Sequence, residues 1–132
     1  MSKGYILVVE DNIDNYELVR TILGLAGYDT FQAINGRDGV NAARKQKPDL
    51  ILMDMNLPEM DGWDATERIR KDPETAHIPM VALTVHTLPR ERKRALDAGV
   101  DAYLPKPFDA THFLQVVEST LKDSKRKKKT KE

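Results

Sequence analysis

Three short apolar runs, each without polar alternation and each stopping at a polar residue, constrain this chain most. Tyr5 to Val9 (YILVV) runs into Glu10 and Asp11, Leu50 to Met53 (LILM) into Asp54, and Met80 to Leu83 (MVAL) into Thr84. A run of this kind is the pattern of a parallel strand buried on both faces, whereas a strand with one wet face alternates. Stretches of helical period lie between the runs. Leu18, Ile22, Leu23 and Leu25 share that spacing, with Asn12, Asp14 or Asn15 available as an N-cap and Gly27 as the stop. The same reading gives helices over Gly36 to Gln46, Trp63 to Arg70, Arg90 to Ala98 and Asp109 to Leu121, and weaker strands over Thr30 to Ile34 and Asp101 to Leu104.

Five strands alternating with five helices predict an α/β doubly wound parallel sheet with helices on both faces, because right-handed crossovers put them there. Ligands of such sheets sit at the carboxyl ends of the strands. The 132 residues suffice for one domain and one only. With no cysteine there is no disulfide scaffold, no Cys-ligated metal and no thiol nucleophile. No apolar run approaches the ~20 residues of a membrane helix, and the first residues turn acidic too soon for a signal peptide, so a cytoplasmic protein without membrane insertion is expected. The net charge of zero conceals an asymmetry. Residues 122–132 (KDSKRKKKTKE) carry seven basic and two acidic side chains, leaving 14 basic against 19 acidic in residues 1–121. The expected organisation is a folded domain over 1–121 and a basic, disordered tail over 122–132.

In this architecture the residues that end strands far apart in sequence converge on one rim. Here they are Glu10, Asp11, Asp54, Thr84 and, after Leu104-Pro105, Lys106. Taken alone, each has a bland reading: an acidic pair that caps a helix, an aspartate in a turn before Pro58 and Gly62, a threonine that favours strands. Together they are chemical. Clustered carboxylates repel and require a cation, and hard oxygen donors at a solvated rim select Mg²⁺, with Mn²⁺ as a substitute. A carboxylate beside such an ion, a lysine and a hydroxyl is also a phosphoryl acceptor: Asp54 attacks phosphorus while Lys106 and Thr84 stabilise charge on the phosphoryl oxygens. His77, His86 and His112 lack metal-ligand spacing and read as structural or exposed, and Trp63 reads as a packing residue or partly exposed anchor.

The segments ILVVEDN at 6–12, PDLILMDMNLPEMDG at 48–62, IPMVALT at 78–84 and GVDAYLPKPF at 99–108, in this order and before an apolar last helix, resemble the receiver domain of two-component response regulators, especially the stand-alone, chemotaxis-regulator-like type. The resemblance implies a flavodoxin-like (βα)5 sheet of order 2-1-3-4-5. It makes Asp54 the phosphoacceptor, with Thr84 and Lys106 beside it, and it makes Glu10, Asp11 and Asp54 the Mg²⁺ site, completed by the backbone carbonyl of Asn56. It implies a cis Lys106–Pro107 bond, a switch role for Tyr103, and control of phosphoryl lifetime at His86 and at Val85, a position usually held by a smaller residue. The implied partners are a sensor histidine kinase or a histidine phosphotransfer protein upstream, and a protein target downstream that meets the face from Pro89 to Leu121. No output domain is expected after Leu121, so the signal leaves through protein contacts.

Three rivals fare worse. An aspartyl-nucleophile phosphohydrolase on a related α/β sheet would place a second acid/base aspartate near Asp54 and carry a cap domain, but Met55 and Asn56 follow and the length leaves no room for a cap. Nucleotide binding lacks both GxGxxG and GxxxxGK[ST]. A nucleic-acid binder acting through the KRKKKTKE tail lacks a recognition motif, so no specific nucleic acid is expected and the tail reads as a solubilising or nonspecific electrostatic appendage.

Overall fold

Strands and helices alternate through the chain: β1 (Gly4–Val9), α1 (Ile13–Leu25), β2 (Tyr28–Ala33), α2 (Gly36–Gln46), β3 (Leu50–Asp54), α3 (Gly62–Lys71), β4 (Met80–Thr84), α4 (Pro89–Ala98), β5 (Ala102–Pro105) and α5 (Ala110–Lys131). The computed structural model describes residues 2–57, 62–84 and 89–131, with side-chain burial to residue 124. All strand pairs are parallel, and the sheet order is β2-β1-β3-β4-β5, the flavodoxin-like doubly wound order.

Period-two alternation within the buried strands divides the core into two layers. Leu7, Val9, Ile51, Met53, Met80 and Ala82 face the layer completed by Ala43, Ala65, Ile69 and Ala95 of α2, α3 and α4. Ile6, Val8, Leu50, Leu52, Val81 and Leu83 face the layer completed by Val19 and Leu23 of α1 and by Phe113 and Val117 of α5. Every residue of β3 and β4 is buried, which is why both read as unbroken apolar runs.

Helix ends follow local chemistry. Among the three candidate caps of α1, Asn12 is the one used: its side chain accepts from the Asn15 N–H at 2.9 Å. Asn35 caps α2 through the Asp38 N–H, and Asp109 accepts from the His112 N–H at the start of α5. Gly27 and Gly99 take φ of +99° and +115° just beyond α1 and α4, a region that favours glycine.

Two elements, β2 and α5, differ from the sequence reading by more than one residue at an end. The edge strand β2 starts at Tyr28, which pairs with Gly4 and buries its ring, and stops before the exposed Ile34. The last helix is expected to end at Leu121, and its helical backbone runs to Lys131. Lysine and arginine are good helix formers, and cations suit a helix C-terminus, so helical backbone persists after the buried face has ended.

Candidate functional site

Parallel register assembles the rim. Val9 lies opposite Met53, Asp54 opposite Leu83, and Thr84 opposite Pro105, so Glu10, Asp54, Thr84 and Lys106 occupy adjacent places at the carboxyl end of the sheet. Backbone bonds fix the strand exits: Glu10 N–H donates to the Ala33 carbonyl, Met55 N–H to Leu83 and Lys106 N–H to Thr84. The Lys106–Pro107 bond is cis, as the resemblance implied.

Glu10 and Asp54 are each only 3% exposed, and Thr84 is buried as well. Lys106 Nζ lies 3.2 Å from Asp54 Oδ2 and 3.5 Å from Glu10 Oε1, one cation for two buried carboxylates. Asp54 Oδ1 accepts from the Asn56 N–H at 2.9 Å, and Glu10 Oε2 from the Asn12 N–H at 3.2 Å. Asp11 is exposed, and oxygens of Glu10, Asp11 and Asp54 lie within 4.8 Å of one another. The Glu10 carboxyl is pushed up to about 7, chiefly by burial and next by the negative charge of Asp54, against the opposing pull of Lys106. A carboxyl held this high has too little positive charge around it, which is the condition that a divalent cation relieves, and the all-oxygen donor set suits Mg²⁺.

The remaining candidates fall into place unevenly. Asn56 is exposed beside Asp54. Tyr103 packs partly buried against the α2–α4 layer, and its hydroxyl is buried. The phenol is raised above its usual pKa by burial first and by Glu91 next, with Arg92 and Thr84 opposing. Val85 and His86 lie outside the described residues. His77 and His112 are exposed, and Trp63 is half-buried with the Arg94 guanidinium stacked 4.4 Å from its ring centroid.

Sequence reasoning missed two supports of the site. Gln32 Nε2 donates to the Glu10 carbonyl at 2.8 Å, a contact set by the β1–β2 register and carried by no motif. Gly62 begins α3 against the end of β3, where a Cβ would come within 2.5 Å of Met55 Cα and 2.7 Å of the Asp54 carbonyl oxygen. The signal for it is present in the sequence, where the glycine reads as a turn or cap residue; in the fold it lets the helix backbone approach the end of β3.

Residues 6–118 match the response regulator receiver domain family. The chain belongs to that family. It is 36% identical over 119 residues to the polar-differentiation response regulator DivK of Brucella anthropi, covering 90% of this chain and 97% of that one. Among solved structures, the receiver domain of a sensor histidine kinase from Pseudomonas aeruginosa is 35% identical with a TM-score of 0.83, covering 89% of this chain and 97% of that one; it is described with a magnesium ion coordinated in its active site cleft. The signal receiver domain of a LuxO repressor protein from Vibrio parahaemolyticus is 26% identical with a TM-score of 0.89, covering 98% of each chain.

As a receiver, the protein is a phosphorylation-operated switch of two-component signalling, a regulatory protein whose relatives work with histidine kinases and downstream targets. Receivers use Mg²⁺ at their acidic site, and the Glu10, Asp11 and Asp54 cluster fits that ion. Among the described residues, no helix is long and apolar enough to cross a membrane.

Proposed function

We propose that Asp54 is the phosphoacceptor and that this receiver catalyses its own phosphorylation from a phosphohistidine of a sensor histidine kinase or histidine phosphotransfer protein. One observation carries the assignment: Asp54 is a buried carboxylate held between Lys106 Nζ at 3.2 Å and the Asn56 N–H at 2.9 Å, beside two further carboxylates. In transfer, an Asp54 oxygen forms the new O–P bond as the N–P bond of the donor breaks and the imidazole leaves with the electron pair. Lys106 and the Thr84 hydroxyl compensate charge on the phosphoryl oxygens, and their fixed positions avoid reorganisation during the step. Mg²⁺, held by Glu10, Asp11 and Asp54 with the Asn56 carbonyl, supplies further positive charge when bound, and Mn²⁺ meets the same oxygen preference.

A mainly apolar cavity of about 330 Å³ is lined by Leu18, Val19, Leu83, Pro107 and Phe108 together with Glu10, Asn15 and Lys106, with Leu18 54% exposed. It supports docking of the phosphodonor over α1. The downstream target is assigned to the face from Pro89 to Leu121, on which Tyr103 reports the state of the site, and Val85 and His86 tune phosphoryl lifetime from their place after Thr84. The receiver body is residues 1–121, acting in the cytoplasm.

Incubation with acetyl phosphate and Mg²⁺, followed by intact-mass analysis, should add one phosphoryl group to the wild type and none to Asp54→Asn. Equal label on both proteins would move the acceptor elsewhere.

A further inference from the structure

The basic segment after Leu121 has no part in the phosphoryl site, and its placement in the fold says why. Helix α5 begins at Ala110, just beyond the carboxyl end of β5, and returns along the sheet. By Glu118, Leu121 and Lys122 it lies among Lys3, Tyr28 and Asp49, at the amino ends of β1, β2 and β3; Tyr28 Oη donates to Glu118 Oε2 at 3.0 Å. The extension therefore leaves the molecule at the edge opposite Asp54. Its helical backbone continues to Lys131, about 15 Å beyond Leu121 at 1.5 Å per residue.

We infer that residues 122–131 form a polyanion-binding arm that holds the receiver nonspecifically on nucleic acid, through contacts to backbone phosphates. Seven of the eleven residues from Lys122 to Glu132 are basic, and a duplex offers one phosphate per ~1.7 Å of axis along the same length. Two other occupants fit less well. A membrane-surface helix needs an apolar face, and no apolar residue follows Leu121. A second copy of the chain has excess acid, but part of it is already engaged: Glu17 pairs with Arg20, Asp72 with Arg44 and Asp101 with Arg70, and Glu10 and Asp54 are buried around Lys106. Phosphates answer to charge alone, which is all that the arm offers. Because the arm leaves from the far edge, a bound duplex leaves Asp54 open to its donor.

Fluorescence anisotropy of the full chain with labelled duplexes of unrelated sequence tests this. Equal affinity for each duplex is expected, falling by roughly 10²–10³-fold as salt rises from about 50 to about 200 mM. A full-length variant with Lys125→Gln, Arg126→Gln, Lys127→Gln, Lys128→Gln and Lys129→Gln should lose at least ~10²-fold, and one with the order of residues 122–132 shuffled should bind like wild type. Acetyl phosphate should label Asp54 at the same rate with and without duplex. The inference fails if the glutamine variant binds as wild type does, if neither binds, if vesicles containing anionic phosphatidylglycerol capture the arm and duplexes do not, or if the arm drives self-association without duplex binding. None of the binding readouts depends on which residue accepts phosphate, so this inference and the Asp54 assignment stand or fall separately.

Discussion

At the amino ends of β4 and β5, the Arg70 guanidinium donates to the carbonyls of Gly99, Ala76 and Ile78 and to Asp101 Oδ2, at distances between 2.7 and 3.1 Å. The same Asp101 oxygen also accepts from the Met80 N–H. At the carboxyl ends, Lys106 faces Glu10 and Asp54 together, with Asp11 close by. Both groups place charge in a partly dry environment, where an unmatched charge is costly and a matched one is tolerated. The amino end matches one cation with one anion and fills the remaining donors with carbonyls, so it fastens α3 to the turn before β5. The carboxyl end leaves negative charge in excess, a poor way to stabilise a fold and a good way to attract a metal ion. An excess of buried charge, more than its mere presence, separates the functional end from the structural one.

Removing one partner should test that contrast most severely at the amino end. Arg70→Met leaves Asp101 without its cation and three carbonyls without a donor, and should cost about 2–3 kcal/mol of stability after allowance for partial solvent access. Chemical denaturation of wild type and variant measures it, and the folded variant should still accept phosphate from acetyl phosphate. A loss below ~0.5 kcal/mol would mean that the Arg70 cluster is an ordinary surface arrangement.

At the carboxyl end the sign should reverse. Asp54→Asn removes a charge that opposes ionisation of Glu10, so without divalent ions the variant should be more stable than wild type by about 1–2 kcal/mol, even as it loses phosphorylation. Added Mg²⁺ should stabilise wild type and close the gap. If Asp54→Asn is destabilising in chelator, the negative charge is not in excess and the contrast between the two ends collapses.

The parts legible in the sequence are those with unmistakable patterns. The runs of β1, β3 and β4 could hardly be misread, because burial on both faces removes every polar residue, and the first chemical side chain after each run marks the rim. Edge strand β2 was less legible because it is partly exposed and mixes Asp29 and Thr30 with Tyr28 and Phe31. The end of α5 was read from the loss of apolar periodicity, which reports where burial stops and is silent on where helical backbone stops. In the site, Glu10, Asp11, Asp54, Thr84 and Lys106 announced themselves by place and chemistry. Gln32 and Arg70 did not, since their contacts depend on strand register and on a loop approach that leave no local pattern.

The smallest effect concerns the proton on Glu10. Its carboxyl titrates at about 7 in the folded chain against an ordinary value of 4.5. A carboxyl raised on folding contributes stability that is full below the unfolded value and is lost as pH rises through the folded one. Without Mg²⁺, this group should therefore make the protein less stable as pH rises between about 4.5 and 7. Because the chain carries many other ionisable groups, the informative quantity is the difference between wild type and Glu10→Gln, which has no proton to lose. Melting both proteins in chelator at pH 5, 6, 7 and 8 should show the variant gaining on wild type as pH rises, mostly above pH 5. Mg²⁺ competes with that proton, so it should stabilise wild type more at pH 8 than at pH 5, and the dependence should flatten in Glu10→Gln. Parallel curves for the two proteins would mean that Lys106 alone satisfies Glu10, and that burial at this rim imposes no demand for a metal ion.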